Sequence, residues 1–214
     1  LGSVAGTRQD RVYVTLQWKP STNFTMSIQP EYSRELGRAQ WVTSVDDPLM
    51  TDPFKRRYIF ADIDQETLSC SIRLNWIFTP RLSLQAYLQP FIAVGDYHRF
   101  KELARASSFD FNAFGEGGST IVAGSDSYQV DPDGAGPAPS FTLDDPDFNY
   151  KSLRGTVVLR WEYRPGSTLF LVWTQNRADY ANPGDLQLGR DFSNLLQAPG
   201  DNIFMMKFTY RFNL

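Results

Sequence analysis

Cysteine and histidine are almost absent from this chain of 214 residues. The one cysteine, Cys70, cannot close an internal disulfide, so there is no oxidised framework. The one histidine, His98, excludes a His-rich metal site and leaves little material for a His-based triad. Charge of one sign is also missing: 21 Lys+Arg against 24 Asp+Glu leave a net −3. No basic field is available to hold a phosphate backbone, so nucleic acid is not expected as a partner. Long apolar runs are lacking as well. The longest has five residues, Leu169-Phe170-Leu171-Val172-Trp173, where a spanning helix needs about 20, so helical membrane proteins are excluded. No signal peptide is visible and the first residue is Leu1 rather than Met, which points to a processed or fragmentary product.

What the chain has is aromatic residues. They make up 14% (16 Phe, 10 Tyr, 5 Trp) in a sequence whose mean hydropathy is only −0.36. Hydrophobic residues at 42% exclude a disordered composition, and the length allows one domain or two small ones. Many aromatics in a polar chain need an explanation.

Period-2 patterning supplies one. Phe204, Met206, Phe208, Tyr210, Phe212 and Leu214 alternate with Lys207, Thr209, Arg211 and Asn213. Val12, Val14, Leu16 and Trp18 oppose Arg11, Tyr13, Thr15 and Gln17; Phe24, Met26, Ile28 and Tyr32 oppose Thr25, Ser27, Gln29 and Glu31. Leu68, Cys70, Ile72, Leu74, Trp76 and Phe78 oppose Thr67, Ser69, Ser71, Arg73 and Asn75, and Val157, Leu159, Trp161 and Tyr163 oppose Thr156, Arg160 and Glu162. Such alternation predicts strands. Their length exceeds the usual 5–6 residues and matches the about 9–11 of a tilted membrane-spanning strand.

Three connections repeat one pattern. Trp18-Lys19-Pro20, Phe78-Thr79-Pro80 and Tyr163-Arg164-Pro165 each place an aromatic two residues before proline, with an apolar residue four after it (Phe24, Leu84, Leu169). Proline presets φ for a tight turn, so each is expected to be a hairpin tip. A row of aromatics at one level suits a membrane interface, where a ring has one apolar and one wet side. The opposite connections are long: 94–147 and 177–201, rich in Gly, Asp, Ser and Pro, are expected as outward-facing loops, with a short helix over 188–198.

The expectation is therefore an all-β fold, an antiparallel up-and-down outer-membrane-type β-barrel or a roughly nine-stranded segment of one, with 1–214 a single unit. The apolar face would meet lipid. The face bearing Arg11, Arg73, Arg160, Glu162, Lys207 and Arg211 would line a polar lumen. The nine strands are expected at about 9–18, 23–33, 38–46, 55–63, 66–78, 82–93, 148–163, 167–176 and 202–214. Nine is odd, so the first and last strands run the same way and the barrel cannot close antiparallel. Either the chain is the C-terminal part of a larger barrel, or one weak segment (38–46 or 55–63) is not a separate strand. A fragment has two unpaired edges that would pair with the missing N-terminal strands of the same protein or with neighbouring copies, the latter giving a fibre or tube.

The run Phe148-Asn149-Tyr150-Lys151-Ser152-Leu153-Arg154-Gly155, the run from Val158 through Arg160-Trp161-Glu162-Tyr163-Arg164-Pro165-Gly166-Ser167-Thr168 to Gln175, and Asp201-Asn202-Ile203-Phe204 resemble an uncharacterised bacterial outer-membrane family. Arg73-Leu74-Asn75, the stretch from Pro80 to Phe91 and Gly95-Asp96-Tyr97 also fit. In that family a C-terminal β-barrel of unknown function follows a domain like the family-nine carbohydrate-binding modules. That domain has no counterpart here, so sugar binding and hydrolase activity are not carried over. The resemblance implies the bacterial outer membrane as location and membrane lipid as partner; release as an extracellular assembly is what pairing of the free edges between copies would give.

No catalytic, cofactor-binding or metal residues are expected. Asp131-x-Asp133-Gly134 is like the start of a calcium loop, and Asp126, Asp144, Asp145 and Asp147 lie nearby, but the acid required twelve positions along is Thr142. These acids read as solvated loop residues. Gly115-Glu116-Gly117-Gly118 lacks the context of a phosphate cradle. Glu162 beside Arg160 reads as a lumen ion pair, Cys70 as inert packing, and His98 as having no catalytic role. The functional expectation is a non-enzymatic structural or pore-type barrel; the alternatives are an edge-to-edge fibre and a soluble β-barrel binding protein.

Overall fold

The computed structural model describes residues 6–50 and 54–212. It is all-β and antiparallel with one short helix. Strands β1 (Arg8–Tyr13) and β2 (Leu16–Ser21) lie end to end along β3 (Phe24–Asp46), followed by β4 (Arg56–Thr79) and β5 (Leu82–Leu103). The short β6 (Phe111–Ala113) pairs with β5, and β7 (Thr120–Ala123), β8 (Ser127–Asp131) and β9 (Phe141–Asp144) form a separate three-stranded sheet. The main sheet resumes with β10 (Phe148–Arg164) beside β5, then β11 (Ser167–Ala181), helix α1 (Leu188–Gln197) and β12 (Gly200–Thr209).

The main sheet holds nine strands, though not the nine expected. The segments 23–33 and 38–46 are one strand, β3, and 55–63 and 66–78 are one strand, β4. Alternation fades between them because both faces are polar there, Ser33-Arg34-Glu35 opposite Asp64-Gln65-Glu66-Thr67, yet the ladder runs on without a gap from Phe24 to Gly37. Arg34 pairs with Asp64, and Tyr32 donates to Glu66. Bulges follow at Gly37–Gln40 and Trp41–Thr43. The expected strand 9–18 is split at Val14-Thr15, opposite Pro30. Pro30 accepts from the Val14 N–H (3.2 Å) but has no N–H to return.

One expected hairpin tip is displaced. Pro80 and Pro165 stand in two-residue turns, and Pro165-Gly166, with Gly166 at φ +77°, has the proline-then-glycine order of a type II turn. Pro20 instead lies inside β2, and the tip is Thr22-Asn23. An edge strand tolerates a proline that a central strand would not.

Across the sheet the order is β1/β2, β3, β4, β5, β10, β11, β12, seven antiparallel positions. No closed barrel is formed: among the described residues β1 and β12 are not paired with each other. Seven is as odd as nine, so the first and last positions still run the same way.

Within 94–147 nearly half of the residues lie in strands rather than in loop. β5 continues to Leu103, kinked at an irregularity where Arg99 takes φ +54°. Ile59, Ala61, Phe100, Phe114, Val130 and Leu143 are buried together, joining the three-stranded sheet to the far ends of β4 and β5. Ile59 and Ala61 share strand parity with Arg73, so this small core lies on the same side of the sheet as the polar face. Helix α1 packs instead on β10 and β11.

Candidate functional site

Strand register brings the separately read apolar faces onto one side. One row runs Trp18, Met26, Leu74, Ala86, Val157, Trp173, Phe204 across all seven positions. The next row toward the turns runs Phe24, Trp76, Leu84, Leu159, Leu171, Met206, and beyond it lie Leu82, Trp161, Leu169 and Phe208. Away from the turns the face continues through Ile28, Ile72 and Leu88 to Tyr32, Leu68 and Ile92. Much of this surface is uncovered: Phe204, Met206 and Trp161 are 76%, 73% and 48% exposed. An uncovered apolar face this broad marks an interaction surface.

Aromatic side chains concentrate at its turn end. Trp18, Phe24 and Trp76 meet edge to face with centroids 5.2 and 5.6 Å apart, and Trp76 continues to Phe78 at 4.3 Å. On the far strands Trp161 meets Tyr163, which stacks on Phe208 at 5.4 Å. Each such pair contributes about 0.5–1.5 kcal/mol beyond its burial. The Tyr163 hydroxyl donates to the Thr209 carbonyl (3.2 Å), giving that ring one polar end.

The opposite face is polar. Thr25, Ser27, Arg73, Asn75, Gln85, Tyr87 and Thr156 line a groove of about 570 Å³, with the Arg73 guanidinium 5.3 Å from the centre of the Tyr87 ring. Arg160 and Glu162 are 3.5 Å apart, as their spacing predicts, and Glu162 also accepts from the Gly166 N–H in the turn (3.0 Å).

The loop acids do not converge. Among the described residues no three Asp, Glu, His or Cys side chains are grouped to hold a metal. Asp131 accepts from the N–H groups of Asp133 and Gly134, Asp133 from that of Ala138, and Asp145 from that of Asp147, so these carboxylates close their own turns. Cys70 is half-buried in the apolar face, and His98 stands in β5 opposite Asp62.

Asp147 differs from the other loop acids. Its Oδ1 accepts from the Tyr97 N–H at 2.7 Å, joining the start of β10 to β5. Burial pushes its carboxyl from 3.8 to about 6; the Tyr97 N–H opposes the rise, and Asp145 and Asp96 add to it. The folded chain therefore keeps a proton that the unfolded chain has lost. The resulting stability is full below the ordinary carboxylate range and vanishes as pH rises through about 6. Amide protection at Tyr97, corrected for intrinsic exchange, should fall between about pH 4 and 6, and Asp147→Asn should remove that step. A pH-independent wild type would refute the assignment.

Two polar clusters went unnoticed in the sequence. Lys151, in register with Ile92 on the apolar face, is wholly buried, with Nζ 2.8 Å from Asn149 Oδ1 and 3.0 Å from Asp179. Asn149 in turn donates to the buried Asp191 of α1 (3.0 Å). Arg57 lies between Asp47 and Glu102, all three buried. The only signal was a lysine at an apolar position of its strand.

Residues 4–213 match the family described as Domain of unknown function (DUF5916). The chain belongs to this family. The DUF5916 match takes in every strand of the main sheet, as well as α1 and the three-stranded sheet. No curated protein and no solved structure matches the chain.

Proposed function

We propose that this chain forms wall of a non-enzymatic outer-membrane β-barrel of structural or pore type, its apolar band against lipid and its polar face toward water. The observation that carries this reading is the exposed apolar band crossing all seven strand positions, with aromatics gathered at the turn end. Along β5 the band spans ten residue steps, from Leu82 to Ile92. At about 3.3 Å per residue and a tilt of about 40° that is about 25 Å, the height of the lipid-facing band of such barrels. A soluble barrel would turn the same side chains inward and cover them. The resemblance to a bacterial outer-membrane family with a carbohydrate-binding-like companion domain supports the location; it transfers no sugar-binding role.

The open edges at β1/β2 and β12 need partners. Copies inserted the same way would meet with parallel strands, because both edges run in one direction. Antiparallel closure needs a strand of the opposite direction, which favours further strands of the same protein over neighbouring copies. A second reading rests on the same edges. Free in water, copies can turn over, so that β12 meets β12 and β1 meets β1 antiparallel and a fibre grows.

The test is folding from urea into phosphatidylcholine vesicles. Faster gel migration before boiling, with tryptophan emission quenched by brominated acyl chains, is the expected result. A compact monomer in plain buffer whose tryptophans ignore lipid would overturn the proposal. Filaments by negative stain would select the second reading.

A further inference from the structure

We propose that α1 is a lipid-seated helix that completes the apolar band where the sheet beneath it is charged. The inference rests on the membrane reading above and adds an element to it. On β3, β4 and β5 the band reaches the level of Tyr32, Leu68 and Ile92. At that level β10 and β11 present Lys151 and Asp179, and one row lower Leu153 and Arg177, all with the parity of the apolar face. Left bare, these charges would face hydrocarbon, which is unfavourable for a lysine or arginine, most of all near the bilayer midplane.

Helix α1 covers them. Asp191 near its start accepts from Asn149, and the Leu196 carbonyl at its end accepts from Arg177, so the helix descends the face toward the band. No basic residue lies in its last turn; Arg177 supplies the positive charge that the helix C-terminus favours. Asp191 and Leu195 form the buried side, while Arg190, Ser193, Asn194 and Gln197 form the polar side. Between the two runs a shoulder of Leu188, Phe192 and Leu196 at four-residue spacing. Leu188 and Leu196 are more than half exposed although the helix is packed. An apolar shoulder left open beside a polar side is the pattern of a helix lying in the headgroup–acyl boundary. Continuity with the band on neighbouring strands identifies the occupant as the acyl chains of the leaflet at the loop end.

The experiment places a spin label singly at Leu196→Cys, Ser193→Cys and Phe204→Cys in a Cys70→Ser background, using the full chain folded in vesicles. All three positions are exposed; the label at 204 replaces the ring that stacks on Trp173. Collision with dissolved oxygen reports lipid, and collision with a water-soluble nickel chelate reports water. The expected oxygen-to-nickel ratio at 196 matches that at 204 and exceeds that at 193 several-fold. A ratio at 196 equal to that at 193, with 204 still in lipid, would overturn the seating of α1 and leave the membrane reading standing. Nickel-accessible labels at both 196 and 204 would overturn the two together.

Discussion

Leu74→Arg is expected to destabilise the vesicle-folded chain by about 2–4 kcal/mol, whereas Asn75→Arg should change stability little. The two residues are adjacent in β4, between β3 and β5, and differ in which face they occupy. Leu74 stands in the row with Trp18, Ala86, Val157 and Phe204, well inside the band; Asn75 shares the polar groove with Arg73. Two positions away on the same face as Asn75, the chain already carries an arginine. The pair therefore separates the cost of a guanidinium in hydrocarbon from its ordinary presence in water. A third substitution excludes a packed interior. Leu74→Trp should be tolerated by fluid acyl chains, whereas a close-packed core would charge about 1–3 kcal/mol for the added volume. Urea midpoints measured in vesicles decide the matter. Equal effects of arginine at 74 and 75, or a large penalty for tryptophan at 74, would sink the assignment of faces.

How far the sequence could be read depended on where each residue meets its surroundings. Inside the band one face is apolar and the other polar, so alternation was visible, and register joins the faces read separately at Val12–Trp18, Phe24–Tyr32, Leu68–Trp76, Val157–Trp161 and Phe204–Phe208. Above the band both faces are polar. Arg34, Glu35, Asp64 and Glu66 therefore sit in continuous strands that show no binary pattern, because backbone pairing and cross-strand partners hold them rather than burial. That is why two strands were each expected as two. Proline misled in one place: Pro20 was expected at a tip, but an edge strand has room for a residue without an N–H. The Lys151 cluster could not be found from spacing, since only Asn149 lies on its own strand while the acids Asp179 and Asp191 lie on β11 and α1. The odd parity of the sheet survived every change of strand boundary, since joining two pairs of segments removes an even number.

Arg57→Met is expected to cost about 3–5 kcal/mol, and the loss should fall on the loop end of the sheet. Arg57 lies at the start of β4, 2.8 Å from an Asp47 carboxylate oxygen and 2.5 Å from one of Glu102. The three side chains are 8%, 1% and 10% exposed, so little water remains to screen or solvate them. Methionine fills a similar volume but leaves two buried carboxylates without a cation. Asp47 also accepts from the Leu49 N–H (2.9 Å), so its protonation or movement would disturb the turn after β3 as well. The Arg34–Asp64 pair, with the arginine half exposed, is the control; Arg34→Met there should change stability far less, because water screens an exposed pair. Restoring neutrality with Arg57→Met, Asp47→Asn and Glu102→Gln together should recover most of the loss, because the penalty is uncompensated charge rather than a missing attraction. Hydrogen exchange gives the location: amides around Ile59 and Phe100 should lose protection, while those of Leu74 and Val157 in the band keep theirs. Arg57→Met as mild as Arg34→Met would mean that the buried triad does not hold the loop end together.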